Sequence, residues 1–342
     1  MVINYGQALQ NALDQAMEQD PRVMVMGIGV DDHMAIFGST EGLVQKYGPH
    51  RVFDTPLSEA AMTGVAIGAA LGGLKPVHIH IRVDFLYLAL DQLLNLAAKW
   101  HYMFGEQGHL PLVVRAVIGR SWGQGAQHSQ SLQSFFMHVP GIKLVMPTTP
   151  YDAKGLLLAA IADPNPVVMI EHRLLYYIED EVPDEPFEME LGPAIIRRSG
   201  KDVTIVANSY MVVEALKAAE FLEEQGIDVE IVDPVCLAPI DSETILVSVR
   251  KTGRLLVLDT SWVCCGASSE IAALVAENAH DALQAPIRRL GNQPVACPVS
   301  KPLEDEFYPN ARKIVKTIYS MLEKKWHDPE IPSLTTPFKG PF

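Results

Sequence analysis

Residues 54–81 read DTPLSEAAMTGVAIGAALGGLKPVHIHI and hold a turn, a helix and a strand in succession. Small and apolar residues at helical spacing predict a helix over Ser58–Leu71, and the next run predicts a buried strand over Lys75–Ile81. A long helix is predicted to follow over Phe85–Phe104. This alternation of strand and helix continues through most of the chain. It is typical of parallel sheets that helices cover on both faces, so the sequence predicts an α/β protein with two doubly wound domains.

The alternation is interrupted at an acidic segment, EDEVPDEPFEME, over Glu179–Glu190. It carries seven carboxylates and two prolines in twelve residues, and both charge repulsion and proline disfavour a packed element there. We therefore predict a first domain at 1–178, an acidic linker at 179–193, a second domain at 194–325 and an extended tail at 326–342.

The overall charge excludes several classes of partner. The chain has 27 basic and 41 acidic residues and a formal net charge of −14, so it has no cationic excess with which to bind nucleic acid or an anionic membrane. The longest apolar window, Ala60–Leu74, is too short and too rich in glycine to span a bilayer. The pattern of the N-terminal stretch predicts an acid-bearing amphipathic helix, and we expect no secretion or transit signal there.

The cysteines indicate a reducing compartment. They stand at positions Cys236, Cys264, Cys265 and Cys297, and none belongs to a C-x-x-C pair. The neighbours Cys264 and Cys265 are not spaced to bridge each other or to clamp a metal in the usual way. We expect neither a disulfide framework nor a structural zinc site. We also expect a cytoplasmic location.

The turn before the helix at Ser58–Leu71 is a candidate site, because parallel α/β sheets bind ligands beyond the carboxyl ends of their strands. Glu59 falls in the first turn of that helix, where a carboxylate also compensates the helix dipole without any further role. Gly64, Gly68 and Gly72 repeat every four residues along the same helix and indicate close approach by another element.

Histidines supply the other candidate side chains. His128 lies in the loop GQGAQHSQS, where an imidazole can serve as an acid or base or can be structural alone. His78 and His80 alternate along one strand and so share a face. They could bind a metal as a pair, although no third ligand is evident, or they could be part of a packed core or interface. The sequence has no G-x-S-x-G elbow, H-E-x-x-H helix or phosphate-binding loop.

Seven segments, in order, resemble one enzyme family. They are DTPLSEAAMTGVAIGAALGGLKPV, VDFLYLALDQLLNLAAKWHYMFG, GAQHSQS, HVPGIKLVMPTTPYDAKGLLLAAI, DPNPVV, KTGRLLVLD and PLEDEFYPN. Over nearly its whole length the chain resembles the beta subunit of the thiamine-diphosphate-dependent component of 2-oxoacid dehydrogenase complexes, with pyruvate, branched-chain 2-oxoacid and acetoin dehydrogenases as relatives. The resemblance implies a transketolase-like pyrimidine-binding domain followed by a transketolase C-terminal-type domain.

The resemblance implies roles for five positions. Glu59 is the carboxylate that hydrogen-bonds the aminopyrimidine ring of the cofactor and favours the tautomer that deprotonates the thiazolium carbon. Phe85 packs on that ring, and Leu57 offers a backbone contact beside it. His128 lines the active-site channel and assists acyl transfer to lipoamide. Ile28 stands where many relatives carry a carboxylate near the cofactor.

The resemblance also implies metal ions and a partner chain. Backbone carbonyls would hold a potassium ion at positions Leu112, Ala160, Ile161, Asp163 and Asn165. Magnesium and the diphosphate are bound in such enzymes through a G-D-G motif, which this sequence lacks. An alpha subunit would supply that half of the site in an α2β2 heterotetramer.

Two residues depart from the family pattern. Ile28 replaces a carboxylate, and Arg82 precedes the VDF segment. Arg82 would pair with an anionic substrate, replace another contact or point into an interface. The segments AAKWHYMFG and EHRLLYY resemble the acetoin-dehydrogenase branch.

The sequence therefore predicts the beta subunit of an oxidoreductase that cleaves a 2-oxoacid or acetoin and transfers the acyl unit to the lipoyl group of an acyltransferase. Two alternatives stay open: a related enzyme with a non-lipoyl acceptor, and a non-catalytic scaffold subunit. A flavodoxin-like electron-transfer subunit fits the alternation but makes no use of Glu59, Phe85 or His128.

Overall fold

A computed structural model describes residues 1–32, 36–119 and 123–326. They form two compact units: one comprises residues 1–118 and 135–191, and the other comprises residues 119–134 and the described residues from 192 onward. The segment that carries His128 is therefore part of the second unit. Beyond Trp326, the predicted tail lies outside the described residues.

A parallel sheet forms the centre of the first unit. This sheet contains β2 (Val23–Gly27), β3 (Val52–Asp54), β4 (Lys75–His80), β5 (Val113–Ile118), β6 (Lys143–Val145) and β7 (Val167–His172). Two further strands, β1 (Val2–Asn4) and β8 (Glu179–Glu181), form a separate two-stranded sheet. The order β6-β7-β5-β4-β2-β3 is parallel throughout. Runs such as VVRAVI in β5 are buried along their whole length, as expected of strands that are covered on both faces.

The helices of this part of the chain are α1 (Tyr5–Gln19), α2 (Leu43–Tyr47), α3 (Glu59–Leu71), α4 (Val83–Leu86), α5 (Ala98–Met103), α6 (Gln133–His138) and α7 (Pro150–Ala162). Helix α1 packs against α7. Capping boxes begin both: Asn4 with Gln7 in α1, and Thr149 with Asp152 in α7. Pro150 occupies the first position of α7, where its missing N–H costs nothing.

The prediction of one continuous helix over Phe85–Phe104 is wrong, because the segment is helical but irregular. The chain passes through α4, a 3₁₀ turn at Tyr87–Ala89, a π-helix at Asp91–Ala97 and then α5. A π segment uses i→i+5 hydrogen bonds, so one regular apolar stripe cannot continue through it.

The acidic segment begins with a packed element, contrary to the expectation from its charge. Strand β8 pairs antiparallel with β1, and its three carboxylates remain exposed. The Lys154 ammonium donates to the backbone carbonyls of Pro183, Asp184 and Glu185 at 2.7, 3.0 and 3.0 Å. The segment can pack because Lys154 binds its backbone while the carboxylates of β8 stay in water.

The second unit contains a five-stranded sheet of order β14-β13-β10-β11-β9, parallel except for β9. The strands of this sheet are β9 (Ile195–Arg198), β10 (Val203–Ala207), β11 (Val229–Asp233), β13 (Leu255–Trp262) and β14 (Arg288–Asn292), and the short strand β12 (Cys236–Ala238) is not part of it. Its helices are α8 (Tyr210–Glu224), α9 (Ser242–Thr252), α10 (Ala267–Asn278), α11 (Lys301–Phe307) and α12 (Ala311–Met321).

Alternate residues of β10 enter two separate cores of the second unit. Val203 and Ile205 pack with residues of α8 and α12, whereas Val206 packs with residues of α9 and α10. Helices therefore cover both faces of this sheet, which confirms the predicted α/β class. Among the helices described, none has the length and apolar character required to cross a membrane.

Candidate active site

The residues predicted to bind the cofactor follow three neighbouring strands of the first unit. Strands β4, β2 and β3 lie side by side and run parallel. The turns after their carboxyl ends therefore emerge at one edge of the sheet. These turns carry Ile28, Glu59 and Phe85, so the topology brings the predicted residues together at that edge.

Glu59 is the first residue of α3 and is half-buried. Ser58 precedes it as the N-cap but makes no capping hydrogen bond through its side chain. No described residue hydrogen-bonds or ion-pairs with the Glu59 carboxylate, and Leu57 beside it is 79% exposed. A carboxylate in this position is favoured by the helix dipole and remains available to a ligand.

Ile28 lies in a turn that is tied to the end of β3. The backbone N–H of Gly29 donates to Asp54 Oδ1 at 2.7 Å. Gly27, with φ of +152°, lies so close to β4 that a Cβ would stand 2.2 Å from the carbonyl oxygen of Ile79. These contacts with the sheet hold the backbone on both sides of Ile28 in place, and the Ile28 side chain is half-buried.

Phe85 is half-buried in α4, and its N–H donates to the Arg82 carbonyl at 3.3 Å. Arg82 is itself buried, with its Nε atom 3.5 Å from Asp84 Oδ2. The side chain is therefore enclosed beside a carboxylate of its own unit.

A second buried arginine, Arg173, directly follows β7. Its guanidinium lies over the ring of Phe37, with 4.3 Å between Cζ and the ring centroid. Burial, and then the charge of Arg82, lower the pKa of Arg173 to about 10. Sequence reasoning missed this neighbour of Arg82 because the two arginines belong to distant segments.

The histidines of β4 are packed together. Both are buried, with 4.3 Å between their ring centroids. Burial lowers the pKa of His78 to about 4 and that of His80 well below its ordinary value, so both imidazoles are neutral near pH 7. Within the described ranges, no group of three His, Cys, Asp or Glu side chains could hold a metal ion. Of the two alternatives for this pair, the structure supports packing.

The loop of His128 is fastened to β13 within the second unit. Gln133 Nε2 donates to Asp259 Oδ1 at 2.7 Å, and Ser261 Oγ donates to the Ser131 carbonyl at 2.8 Å. His128 itself is half-buried. Its imidazole therefore belongs to a loop that buried polar contacts hold in place.

Asp259 is a positioning residue that sequence reasoning missed. It is fully buried and accepts hydrogen bonds from the backbone N–H groups of Ser261 and Ser268, each at 3.1 Å. Burial raises the pKa of Asp259 although these bonds favour its charged form. The available signal was its place after the apolar run RLLVL, where an acid must find buried partners.

The predicted potassium positions lie around the end of α7 in the first unit. They are Leu112, Ala160, Ile161, Asp163 and Asn165. Ala160 and Ile161 belong to the last turn of α7, whose carbonyls lack partners within the helix. The Leu112 carbonyl accepts the N–H of Val167 at 2.9 Å, which brings the start of β5 beside β7. Carbonyl oxygens at the negative end of a helix dipole fit a hard cation.

Comparison with known proteins places both units in one family. Residues 1–179 match the transketolase pyrimidine-binding domain, and residues 192–314 match the transketolase C-terminal domain. A solved split-gene transketolase, described as an inactive beta4 tetramer, aligns with a TM-score of 0.76 over 95% of this chain and 99% of its own, at 23% identity. This likeness supports the fold.

Several relatives are named for dehydrogenation. The beta subunit of acetoin:2,6-dichlorophenolindophenol oxidoreductase from Bacillus subtilis is 41% identical over 94% of this chain and 97% of its own. Its counterpart from Cupriavidus necator is 44% identical over 90% and 94%. Mitochondrial pyruvate dehydrogenase E1 subunit beta-1 from Arabidopsis thaliana is also 44% identical, over 90% and 86%. Sequence identity to these relatives does not distinguish pyruvate from acetoin as a substrate, but it confirms the resemblance. The chain belongs to the transketolase-like family of pyruvate and acetoin dehydrogenase E1 beta subunits.

Proposed function

We propose that this chain is the beta subunit of a thiamine-diphosphate-dependent dehydrogenase that cleaves a 2-oxoacid or acetoin and passes the acyl unit to a lipoyl group. The observation that carries the proposal is the Glu59 carboxylate, which stands at the ligand-binding edge of a parallel sheet without a described partner. The relatives named for pyruvate and acetoin oxidation support the class of reaction.

The residues of this edge fit the aminopyrimidine half of thiamine diphosphate. Glu59 would share a proton with a ring nitrogen, Phe85 would pack on the ring, and the exposed backbone at Leu57 would make a contact beside it. Ile28 would cover the ring with apolar surface. When bound, the cofactor supplies the carbon nucleophile for cleavage next to a carbonyl.

His128 would serve acyl transfer, because its imidazole can donate a proton to or accept one from a bound carbonyl oxygen or an incoming thiol. Its anchored loop would limit the positions that the imidazole can adopt. The lipoyl group would arrive on a separate acyltransferase.

An alpha subunit would complete the enzyme as an α2β2 heterotetramer. The absence of G-D-G from this sequence supports magnesium and diphosphate ligands on that partner. Potassium would bind this chain through the carbonyls around the end of α7. The free state of all four cysteines is compatible with a cytoplasmic location.

Calorimetric titration of thiamine diphosphate and magnesium tests the shared site. We expect binding when this chain is combined with its alpha subunit and none to the chain alone. Tight binding to the chain alone would reveal a diphosphate site here and remove the need for a shared one. Failure to bind in either arrangement would contradict the proposal and favour a scaffold subunit.

A non-lipoyl acceptor is the second candidate, and the apolar Ile28 at the cofactor edge favours it. Such an enzyme would cleave its substrate at full rate but would leave a lipoyl-bearing acyltransferase unacylated. A lipoyl-dependent assay and an assay with an artificial electron acceptor, run on the same preparation, separate the two candidates.

A further inference from the structure

Cys264 and Cys265 form an exposed pair of adjacent thiols in the second unit. Their sulfur atoms lie 3.9 Å apart, whereas Cys236 and Cys297 are buried. The pair stands between the end of β13 and the start of α10. Neither thiol has a part in the proposed reaction.

The turn around the pair directs both sulfurs to the same side. Cys265 has a left-handed backbone with φ of +54°. The next residue, Gly266, lies so close to the preceding turn that a Cβ would stand 2.3 Å from the Trp262 carbonyl oxygen and 2.8 Å from Asp259 Oδ2. The turn is compact at Gly266, and within it the two sulfurs lie 3.9 Å apart.

A disulfide is a poor outcome for this pair. Adjacent Cα atoms are about 3.8 Å apart across a trans peptide, below the roughly 4.4–6.8 Å of ordinary disulfides. Strained disulfides are readily reduced. The neighbouring Cys264 also raises the pKa of the Cys265 thiol, which makes it a weaker nucleophile than a redox-sensing cysteine.

We propose that Cys264 and Cys265 form a two-sulfur binding site for a thiophilic centre that offers two bonding positions, such as an organic trivalent arsenical. Two sulfurs that are each about 2.3 Å from one centre lie within about 4.6 Å of each other. The 3.9 Å separation found here therefore places both sulfurs within bonding reach of a single centre. The described residues supply no third His, Cys, Asp or Glu for a closed metal site. The protein therefore offers only two sulfur ligands at this site, and the bound centre must be one that needs no further protein ligand.

The binding reaction is a condensation without oxidation. With phenylarsine oxide, both S–H bonds break and two arsenic–sulfur bonds form. The arsenic-bound oxygen leaves as water with the two protons, and the arsenic remains trivalent.

The site lies next to the anchor of the His128 loop. Ser261, which bonds Ser131, is three residues before Cys264, and the indole Nε1 of Trp262 donates to the Val295 carbonyl at 3.0 Å. Ligand binding therefore has a local reporter in Trp262 fluorescence.

Titration of the full chain with phenylarsine oxide, followed by intact-mass analysis and tryptophan fluorescence, tests the site. We expect one arsenical per chain, removed by a dithiol but not by an equal concentration of monothiol. Cys264→Ser and Cys265→Ser should each weaken binding at least 100-fold, because a single sulfur cannot chelate. The buried Cys236 and Cys297 remain in both variants as internal controls. Equal uptake by either variant, or no uptake by the native chain, would overturn the proposal.

Discussion

The two units both carry a carboxylate near the carboxyl end of a parallel strand, but the two carboxylates have opposite surroundings. Glu59 in the first unit is half-buried and has no described partner. Asp259 in the second unit is fully buried. Its N–H donors are the side-chain amides of Gln133 and Asn208 and the backbone groups of Ser261 and Ser268.

The difference indicates that Glu59 is suited to binding a ligand, whereas Asp259 is suited to holding a loop in place. A buried carboxylate with four N–H donors has little capacity left for a ligand, and its removal would leave those donors unpaired. A half-buried carboxylate without partners contributes little to folding and keeps its full hydrogen-bonding capacity. We therefore expect substitutions of Glu59 to change activity and substitutions of Asp259 to change stability.

The largest expected effect is on catalysis, in Glu59→Gln. The amide is neutral and cannot share a proton with the pyrimidine nitrogen as a carboxyl group does, so we expect activity to fall about 10²–10⁴-fold. Assembly with the alpha subunit should stay unchanged, and the free energy of unfolding should fall only by the dipole contribution of about 0.5 kcal/mol. Steady-state assays of the reconstituted enzyme, size-exclusion chromatography and denaturant unfolding measure the three quantities. Full activity in this variant would sink the role of Glu59.

The next effect is on folding, in Asp259→Ala. The substitution leaves buried N–H groups of Ser261 and Ser268 without an acceptor, so we expect the free energy of unfolding to fall by about 3 kcal/mol. Denaturant unfolding measures it, with Asp281→Ala at an exposed position as the control. If the two variants are equally stable, Asp259 is not the anchor of the His128 loop.

Much of the fold could be predicted because its signals are local. Buried apolar runs fix β2, β5 and β10, and the acidic break before the second sheet is visible in the sequence. The π-helix at Asp91–Ala97 was missed because its apolar pattern also fits an α-helix. Strand β8 was missed because it pairs with β1, which lies at the far end of the same domain in sequence.

The candidate site also has features that can be identified from the sequence and features that cannot. Glu59 stands where a turn meets a helix, and such an acid can be identified from sequence. The proximity of Arg173 to Arg82, and of Phe37 to Arg173, could not be identified, because these residues come together only in the folded chain. The buried ion pair of Arg115 and Glu171, with Nε to Oε1 at 2.5 Å, joins adjacent strands β5 and β7 and has no spacing that reveals it.

A smaller effect, on the pH dependence of stability, is expected from His78. Its pKa is about 4 in the folded chain and 6.5 ordinarily, so the folded state binds fewer protons. The stability it supports is complete above pH 6.5 and is lost as the pH falls toward 4. Between pH 7 and pH 5 we expect His78 to account for about 2 kcal/mol of the loss in stability, and His78→Phe should remove that part while the loss due to His80 remains.

Denaturant unfolding at both pH values measures this loss. The exposed His109 provides the matched control, since His109→Phe should leave the acid sensitivity in place. An unchanged pH dependence in His78→Phe would show that the first unit accommodates a charged imidazole there.

The smallest effect is expected in Glu243→Gln, which separates a cofactor-binding acid from dipole compensation. Glu243 is exposed in the first turn of α9, as Glu59 is in the first turn of α3. Loss of its charge should lower the free energy of unfolding by about 0.5 kcal/mol and leave activity within about twofold of the native enzyme. If dipole compensation were the whole role of Glu59, the two variants would behave alike in both assays. A loss of activity confined to Glu59→Gln therefore assigns that carboxylate to the cofactor, because both glutamates stand in the first turn of a helix and differ in the sheet edge at which that helix begins.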